Sequence, residues 1–122
     1  KNMFLFGLKT DEVTALKASG YDPQRYARED AELGAVLDRI SRGFADGKSY
    51  SDLVSNLLYN GDPYMLCADF RDYVNTHDRM YSVISDPAER ARLSITNTAE
   101  AGIFAADRAI KEYAEGIWGI KL

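Results

Sequence analysis

The sequence predicts a mostly α-helical fold of about six helices with one or two short strands. Apolar residues recur at steps of three and four along most of the chain, for example at Ile110, Tyr113, Ala114 and Ile117. This spacing places such residues on one face of an α-helix. All three prolines directly follow an aspartate, a pair that is typical of the start of a helix. Only very short continuous apolar runs remain to form strands.

Composition and charge restrict the class of protein. The chain has 122 residues, of which 46% are hydrophobic and 28% charged, as in a soluble globular chain of at most one domain. We therefore expect residues 1–122 to form one piece without an internal boundary. The 15 Lys and Arg residues are scattered and the net charge is −4, which argues against a nucleic-acid partner.

The sequence shows neither a membrane-spanning run nor a recognisable signal peptide. No apolar run approaches the ~20 residues that span a bilayer, and the apolar run before Lys9 is too short for a signal peptide. The single cysteine, Cys67, is compatible with a reducing compartment. We expect a cytoplasmic protein with no membrane partner. Because the chain does not begin with Met and opens directly into a strand-like run, we also expect a piece of a longer protein.

The first third of the chain contains one predicted strand and three helix starts. Met3 to Phe6 is a short apolar run that favours a buried parallel strand needing neighbours from elsewhere. Thr10 is a candidate cap for a helix that ends at Gly20. The pair Asp22-Pro23 predicts the next helix, and Asp30 the one after it. The apolar stripe of that third helix would comprise Leu33, Val36, Leu37, Ile40 and Phe44.

The middle of the chain contains two further predicted helices. The segment from Tyr50 to Tyr59 predicts a short helix with Leu53, Val54, Leu57 and Leu58 inside. Tyr64 to Cys67 is interpreted as a short extended run, and Asp69 as the cap of a long helix. One face of that long helix would carry Phe70, Tyr73, Val74, His77, Met80, Tyr81 and Ile84.

The last third predicts two more helices. Asp86-Pro87 marks one start, and Glu89 is placed to complete a capping box with Asp86. Asp107 is expected to cap the final helix. That helix would be amphipathic, and Trp118 on its apolar face would need a groove to occupy.

Few residues are candidates for chemistry. One His and one Cys, ten residues apart, do not make a zinc site, so no metal ligand is assigned. His77 is interpreted as a core or boundary histidine and Cys67 as a buried, inert thiol. Glu112 and Glu115 could resemble the paired acids of glycoside hydrolysis, but they share a solvent face.

The remaining candidates are interpreted as structural. Asp107 is read as a helix cap, and Arg108 as a partner for a carboxylate or a carbonyl. The eight Tyr and five Phe could stack on sugars, but at helical spacing they favour a core.

Several segments, in order, resemble the α-glucan (glycogen, starch or maltodextrin) phosphorylases. The final stretch, GIFAADRAIKEYAEGIWGI, is similar to the family pattern SGxFSSDRTIxxYAxxIWxI, with Ala105 and Ala106 in place of the two serines. The earlier segments are NMFLFG (residues 2–7), similar to ENMFxFG; GYDPQRY (20–26), similar to GYDPxxYY; DPYMLCADFRDYV (62–74), similar to DPYxVxADFxxYV; and Asn97, where the family also has Asn.

This resemblance implies a C-terminal segment of the second, cofactor-binding lobe of a two-lobe enzyme with Rossmann-like α/β lobes (GT-B-like). Such enzymes use inorganic phosphate to cleave terminal α-1,4-glucosidic linkages and release glucose 1-phosphate. Pyridoxal phosphate is held on a lysine in a GTxNMK-type segment, which would lie upstream of Lys1. We therefore assign no catalytic and no cofactor-binding residue to this chain, and expect the isolated piece to be inactive.

The partners implied are the rest of the phosphorylase chain and, through it, α-glucan and inorganic phosphate. The isolated piece is also expected to self-associate through apolar surface and unpaired strand edges. The alternative hypothesis is a stand-alone helical protein-interaction module, which explains the amphipathic helices but not the ordered family segments.

Overall fold

The computed structural model describes residues 2–120, and the regular secondary structure within this range is entirely helical. Seven α-helices are present in this range, and a 3-10 helix, Ala101–Phe104, joins the last two. The α-helices are α1 (Thr10–Ala18), α2 (Pro23–Glu29), α3 (Ala31–Arg42), α4 (Ser51–Leu58), α5 (Leu66–Ile84), α6 (Pro87–Glu100) and α7 (Ala106–Gly116). The mostly α prediction is confirmed, and the expected count of about six helices is close.

Residue contacts divide the chain into two compact units. The first comprises Phe4–Asp78, and the second comprises the described residues 2–3 and 79–120. The division falls within α5. The sequence analysis expected residues 1–122 to be one undivided segment of the second lobe of a longer enzyme. That expectation concerns the longer protein and stays a prediction.

The first unit contains a small apolar core. Helices α2, α3 and α4 pack against one another, and α5 contributes Cys67 beside Leu33 and Leu37 of α3. Six partly buried residues pack around these three: Tyr26, Ala27, Val54, Leu57, Leu58 and Phe70. Of the apolar stripe predicted for α3, Leu33 and Leu37 are buried, whereas Val36 and Phe44 are exposed.

Aspartates start three helices as predicted. The carboxylate of Asp22 accepts a hydrogen bond from Gln24 N, and that of Asp30 accepts from the amides of Glu32 and Leu33. Asp86 does the same for the first turn of α6. These bonds satisfy amide groups that have no partner inside the helix, which is why Asp is favoured there.

The second unit contains the end of α5, α6, the 3-10 helix and α7. Its buried apolar residues, among those described, are Leu93 and Ala114. Asn97 holds the start of the chain, because Asn2 Nδ2 donates to its Oδ1 at 2.6 Å and its own Nδ2 donates to the Asn2 carbonyl at 3.3 Å. Most large apolar side chains of this unit are exposed.

The predicted strands are wrong for the residues described. Met3 to Phe6 has no regular secondary structure, and Met3, Leu5 and Phe6 are exposed. A strand needs a hydrogen-bonded neighbour, and residues 2–120 supply none to this segment. Tyr64 to Cys67 is not extended either, because Met65 has a left-handed φ of 57° and α5 begins at Leu66.

Four capping predictions are also wrong. Lys9 rather than Thr10 precedes α1, and its amide donates to Glu12 at 2.7 Å. Asp69 lies in the first turn of α5, where its Oδ1 accepts from Leu8 N at 2.8 Å. Glu89 binds Arg92 at 2.8 Å instead of reaching the Asp86 amide.

The fourth concerns the final helix. It is preceded by Ala105, which has no side-chain cap, and Asp107 follows within the first turn. The helix ends at Gly116, so Trp118 lies beyond it and is 59% exposed. The predicted groove for Trp118 is therefore not formed by the described residues.

Candidate functional site

The deepest polar feature of the first unit is a buried polar cluster made of Tyr21, Asp62 and Cys67. Tyr21 lies between α1 and α2, Asp62 in the turn before α5, and Cys67 in the first turn of α5. The Asp62 side chain accepts two hydrogen bonds at one oxygen, Oδ2: from the Tyr21 hydroxyl at 2.7 Å and from Cys67 N at 2.9 Å. Asp62 is 1% exposed and Cys67 is 3% exposed.

An unusual turn brings Asp62 into this position. Asp62 has a φ of 39° and Met65 a φ of 57°, which is a left-handed conformation that non-glycine residues rarely adopt. The Met65 amide donates to the Asp62 carbonyl at 2.9 Å, and the Met65 side chain is fully buried. The turn thereby places a carboxylate at the amide end of α5, where the helix dipole favours negative charge.

One oxygen of this carboxylate has no partner. Asp62 Oδ1 is buried and accepts no hydrogen bond from the residues described. An unpaired buried polar atom costs free energy. The two hydrogen bonds at Oδ2 and the buried Met65 side chain stabilise the turn despite this cost.

The electrostatics of the cluster oppose catalysis by its side chains. Burial, followed by the hydrogen bond to Asp62 and its charge, raises the pKa of Tyr21 well above its usual range. Burial and the Asp62 charge raise the pKa of the Cys67 thiol to about 12. Because the thiolate is the nucleophilic form of cysteine, this shift favours the unreactive thiol form of Cys67, and the burial of Cys67 agrees with the sequence prediction.

A second polar group lies at the surface of the same unit. The Arg71 guanidinium donates to both oxygens of Asp30, at 2.8 Å and 2.6 Å, and to Glu32 at 3.1 Å. Asp30 is also the cap of α3. The group joins the start of α3 to α5 and leaves no free acid for catalysis at Asp30.

An open apolar groove lies along α3 in this unit, between residues of α2, α3 and α4. It has a volume of about 260 Å³. Its lining comprises Ala27, Gly34, Leu37, Asp38, Ser41, Val54 and Leu58. The Asp38 carboxylate pairs with Arg42 at 2.6 Å, so the groove offers packing surface rather than a reactive group.

His77 is not the core or boundary residue that the sequence suggested. Its side chain is 50% exposed, and its ring centroid lies 6.0 Å from that of Tyr73. The buried residues of α5 are Cys67 and Thr76 instead, which lie on different sides of the helix because they are nine residues apart. No group of three or more His, Cys, Asp and Glu side chains suited to a metal occurs among residues 2–120.

The acidic residues of α7 lie in solvent, as predicted. Arg108 pairs with Glu112, while Glu115 lies 4.0 Å from Lys111. Arg108 also donates from Nε to the Ile103 carbonyl, so both partner types expected for it are present. Each pair spans one helical turn, an arrangement that supports the helix.

The aromatic residues follow the core expectation only in part. Tyr26 and Phe70 pack against the core of the first unit, whereas Tyr64 is 81% exposed and Phe104 is 86% exposed. Sequence reasoning also missed the contact between Tyr21 and Asp62. Each residue belongs to a recognisable segment, but nothing local indicates that side chains 41 positions apart meet.

No helix between residues 2 and 120 combines the length and apolar character required to cross a membrane.

The sequence matches the family described as carbohydrate phosphorylase over residues 1–120. It is 43% identical over 124 residues to a glycogen phosphorylase of Synechocystis sp., an alignment that covers 99% of this chain and 14% of that protein.

Two further relatives agree. The muscle form of glycogen phosphorylase from Ovis aries is 35% identical, with 99% of this chain and 15% of that protein covered. A glycogen phosphorylase of Chlamydia pneumoniae is 33% identical, with 98% and 15% covered. The chain thus spans about 15% of the length of the relatives it matches.

Proposed function

This chain belongs to the carbohydrate phosphorylase family, and we propose that it is the C-terminal structural portion of an α-glucan phosphorylase. The whole enzyme would use inorganic phosphate to cleave terminal α-1,4-glucosidic linkages and release glucose 1-phosphate. The observation that carries the proposal is the family match along residues 1–120. The alternative of a stand-alone interaction module is not favoured, because the matched relatives are glycogen phosphorylases.

A scaffold role is supported by the contacts of the charged side chains, which cap helices or connect one element to another. Asp22, Asp30 and Asp86 each bind amides at the start of a helix. Arg71 joins α3 to α5, and Arg108 ties α7 to the Ile103 carbonyl. Groups with these partners organise helices and are not free to transfer protons to a substrate.

Pyridoxal phosphate would supply the phosphate group that works beside the substrate phosphate in such an enzyme. The lysines described here are Lys9, Lys17, Lys48 and Lys111, and all four are exposed. A cofactor held as a Schiff base needs a lysine inside an enclosed site, so these residues do not fit the cofactor. We infer that its site lies in another part of the parent enzyme.

The rest of the phosphorylase chain is the proposed partner. Ile95, Ile103, Phe104, Ile117 and Trp118 are all at least half exposed in the second unit. Large exposed apolar side chains in such number suit a surface that further protein covers. In the parent we propose that α7 and the residues after it reach toward the N-terminal lobe and help to set the cleft between the lobes. A cytoplasmic location fits this assignment.

Two experiments test the proposal. Tryptic peptides of the native gene product, measured by mass spectrometry, should continue far upstream of Lys1. That longer product, with pyridoxal phosphate, should release glucose 1-phosphate from glycogen and inorganic phosphate, whereas the 122-residue chain alone should not. A native product of 13.6 kDa, or activity of the 122-residue chain alone, would overturn it.

The lobe-closure role has its own variant. In the longer product, Trp118→Ala should lower glucose 1-phosphate release, because it removes an aromatic anchor from the proposed contact. Glu115→Gln is the matched control, since Glu115 is exposed and lies 4.0 Å from Lys111. Equal activity of the two variants would contradict the closure role while leaving the family assignment untouched.

A further inference from the structure

The loop between α4 and α5 contains the pair Asn60-Gly61, the one Asn-Gly pair of the chain. Both residues are exposed. The Asn60 side chain makes one hydrogen bond within residues 2–120, from Nδ2 to Asn56 Oδ1 at 2.7 Å. The Gly61 amide donates to no group in the same range, and no atom lies within 4 Å of the place where a Cβ of Gly61 would be. The Gly61 nitrogen and the neighbouring Asn60 side chain are therefore both open to solvent.

Such a pair reacts without an enzyme. The Gly61 nitrogen attacks the Asn60 side-chain carbonyl carbon, the new C–N bond closes a succinimide ring, and the bond from that carbon to Nδ2 breaks. The proton of the Gly61 amide leaves with Nδ2 as ammonia. Water then opens the ring at either carbonyl carbon, which gives aspartate or isoaspartate at position 60. Glycine favours the step because it has no Cβ to hinder the approach of its nitrogen.

The fold and the sequence protect the other asparagines. Asn56, Asn75 and Asn97 lie within α4, α5 and α6, where the amide of the following residue belongs to the hydrogen-bonded backbone of a helix. The Asn2 and Asn97 side chains are bound to each other at 2.6 Å. None of these four asparagines is followed by glycine, so none has an unhindered nitrogen beside it.

The pair Asp46-Gly47, in the loop after α3, is held where Asn60-Gly61 is not. Its aspartate accepts from Lys48 N at 3.2 Å through Oδ1 and from the Tyr50 hydroxyl at 2.6 Å through Oδ2. Its glycine amide donates to the Phe44 carbonyl at 3.4 Å. Both reacting groups thus have partners, and a carboxylate loses oxygen far less readily than a carboxamide loses ammonia. Asn60-Gly61 is the pair that combines the chemistry with open access.

We propose that Asn60 is a site of spontaneous covalent modification, at which the Gly61 nitrogen displaces ammonia and leaves aspartate and isoaspartate. Both products add a negative charge. Isoaspartate also routes the backbone through the former side chain, which lengthens the backbone by one methylene. This inference depends on the chain's own residues and not on the phosphorylase assignment.

The surroundings of the loop give the modification a structural effect. The loop is short, because α4 ends at Leu58 and the chain is buried again at Asp62, which is 1% exposed. Hydrogen bonds from the Tyr21 hydroxyl and Cys67 N fix Asp62, and Gln24 Nε2 donates to the Leu58 carbonyl at 3.2 Å. An extra methylene between these two fixed ends displaces one of them, so isoaspartate should loosen the turn before α5. Aspartate in an ordinary backbone adds only the charge.

The rate of modification in the folded native product tests the site. After incubation at neutral pH, trypsin releases residues 49–71 as one peptide, and mass spectrometry detects the replacement of the side-chain NH2 by OH. We expect a rate within about tenfold of that of the synthetic peptide 49–71, which is the most that one surface hydrogen bond withholds. A site reached only through global unfolding would react roughly a thousandfold more slowly than the peptide.

Two variants assign the reaction to this pair. Asn60→Gln should stop the mass change, because the longer side chain closes a larger ring that forms slowly. Asn56→Ala removes the hydrogen bond to Asn60 and should bring the rate closer to that of the peptide. Both asparagines lie in the same tryptic peptide, and its fragment masses distinguish them. A mass change at Asn56 instead, an unmodified native product under conditions that modify the peptide, or a thousandfold slower rate would each overturn the site.

Melting temperature tests the structural effect. Anion exchange separates the modified molecules, which carry the added charge, from the unmodified ones. We expect the modified molecules to melt a few degrees below the variant Asn60→Asp, which has the same charge without the extra methylene. Asn60→Asp should itself melt close to the parent, because Asn60 is exposed. Equal melting of the modified molecules and Asn60→Asp would overturn the proposed loosening of the turn.

Discussion

Arg71 binds Asp30 through two parallel hydrogen bonds, from Nε to Oδ2 at 2.8 Å and from Nη2 to Oδ1 at 2.6 Å. The Asp30 carboxylate also accepts hydrogen bonds from the backbone amides of Glu32 and Leu33 at the start of α3. A carboxylate bound in this way stabilises two things at once, the first turn of a helix and the position of α5 beside it. Double hydrogen bonding of this kind is more specific than a simple charge contact.

The first prediction concerns pH. Arg71, followed by the amides of the helix start, holds the pKa of Asp30 below its usual value. A carboxyl whose pKa is lower in the folded state stabilises the fold at pH above its unfolded pKa, about 3.9, and loses that effect as the pH falls through the folded value. Asp30→Asn should therefore lower the melting temperature by a few degrees at neutral pH, and the difference should shrink below about pH 4.

Asn is the right replacement because it caps helices about as well as Asp, so the loss isolates the charge contact to Arg71. Thermal unfolding followed by circular dichroism at several pH values measures the effect. Asp38→Asn is the control, because Asp38 pairs with Arg42 within one exposed helix. A pH-independent difference between Asp30→Asn and the parent would refute the electrostatic role.

The second prediction concerns the loop after α3. Gly43 has a φ of 78°, and a Cβ at this position would lie 2.7 Å from the Lys48 carbonyl oxygen. Gly43→Ala should destabilise the chain by roughly 2 kcal/mol or more, from left-handed backbone strain plus the steric clash. Gly47 has a φ of 71° but open space around its Cβ position.

Gly47→Ala therefore serves as the matched control and should cost only the strain, about 1 kcal/mol. Urea unfolding of the two variants gives the comparison directly. If both variants lost the same stability, the close approach of Lys48 to Gly43 would have no energetic weight.

The third prediction concerns Trp118. A tryptophan buried in a core groove would cost about 3–5 kcal/mol when replaced by Ala, but here Trp118 is 59% exposed. In this chain Trp118→Ala should change stability by no more than about 0.5 kcal/mol. Leu37→Ala is the positive control, because Leu37 is 5% exposed in the core and should lose about 2–5 kcal/mol.

The same pair of variants carries information in a longer protein. If the remainder of the phosphorylase covers Trp118, its replacement there should approach the cost of Leu37→Ala. Urea unfolding of both proteins measures this. A Trp118→Ala loss in the isolated chain as large as that of Leu37→Ala would show that the exposed position is wrong.

The sequence predictions that were confirmed concern features set by residues close together in the chain. Asp22, Asp30 and Asp86 were predicted as caps and do bind the first amides of α2, α3 and α6. Such a cap needs only a short side chain two or three residues before an amide. The burial of Leu33 and Leu37 followed from their spacing along α3.

The failures concern features whose causes lie elsewhere in the chain or outside it. The strand expected at Met3 to Phe6 needs partners that residues 2–120 do not supply to it. The Asp62-Pro63 pair is of a kind typical of helix starts, but the Asp62 carboxylate accepts a hydrogen bond from Tyr21, a contact that requires the folded positions of two distant turns. Trp118 was placed on α7 by its spacing, although Gly116 ends that helix first.

The last prediction is self-association of the isolated chain. In the second unit Phe104 is 86% exposed and Ile103 beside it 59% exposed. Apolar side chains exposed in this way favour contact with another copy when no other protein covers them. We expect dimers or larger assemblies in light scattering at high concentration. Phe104→Lys should shift the chain toward monomer, while Ser94→Lys, at an exposed position of α6, adds the same charge without removing apolar surface. A monomeric parent chain at every concentration, or an equal shift in both variants, would refute association through this surface.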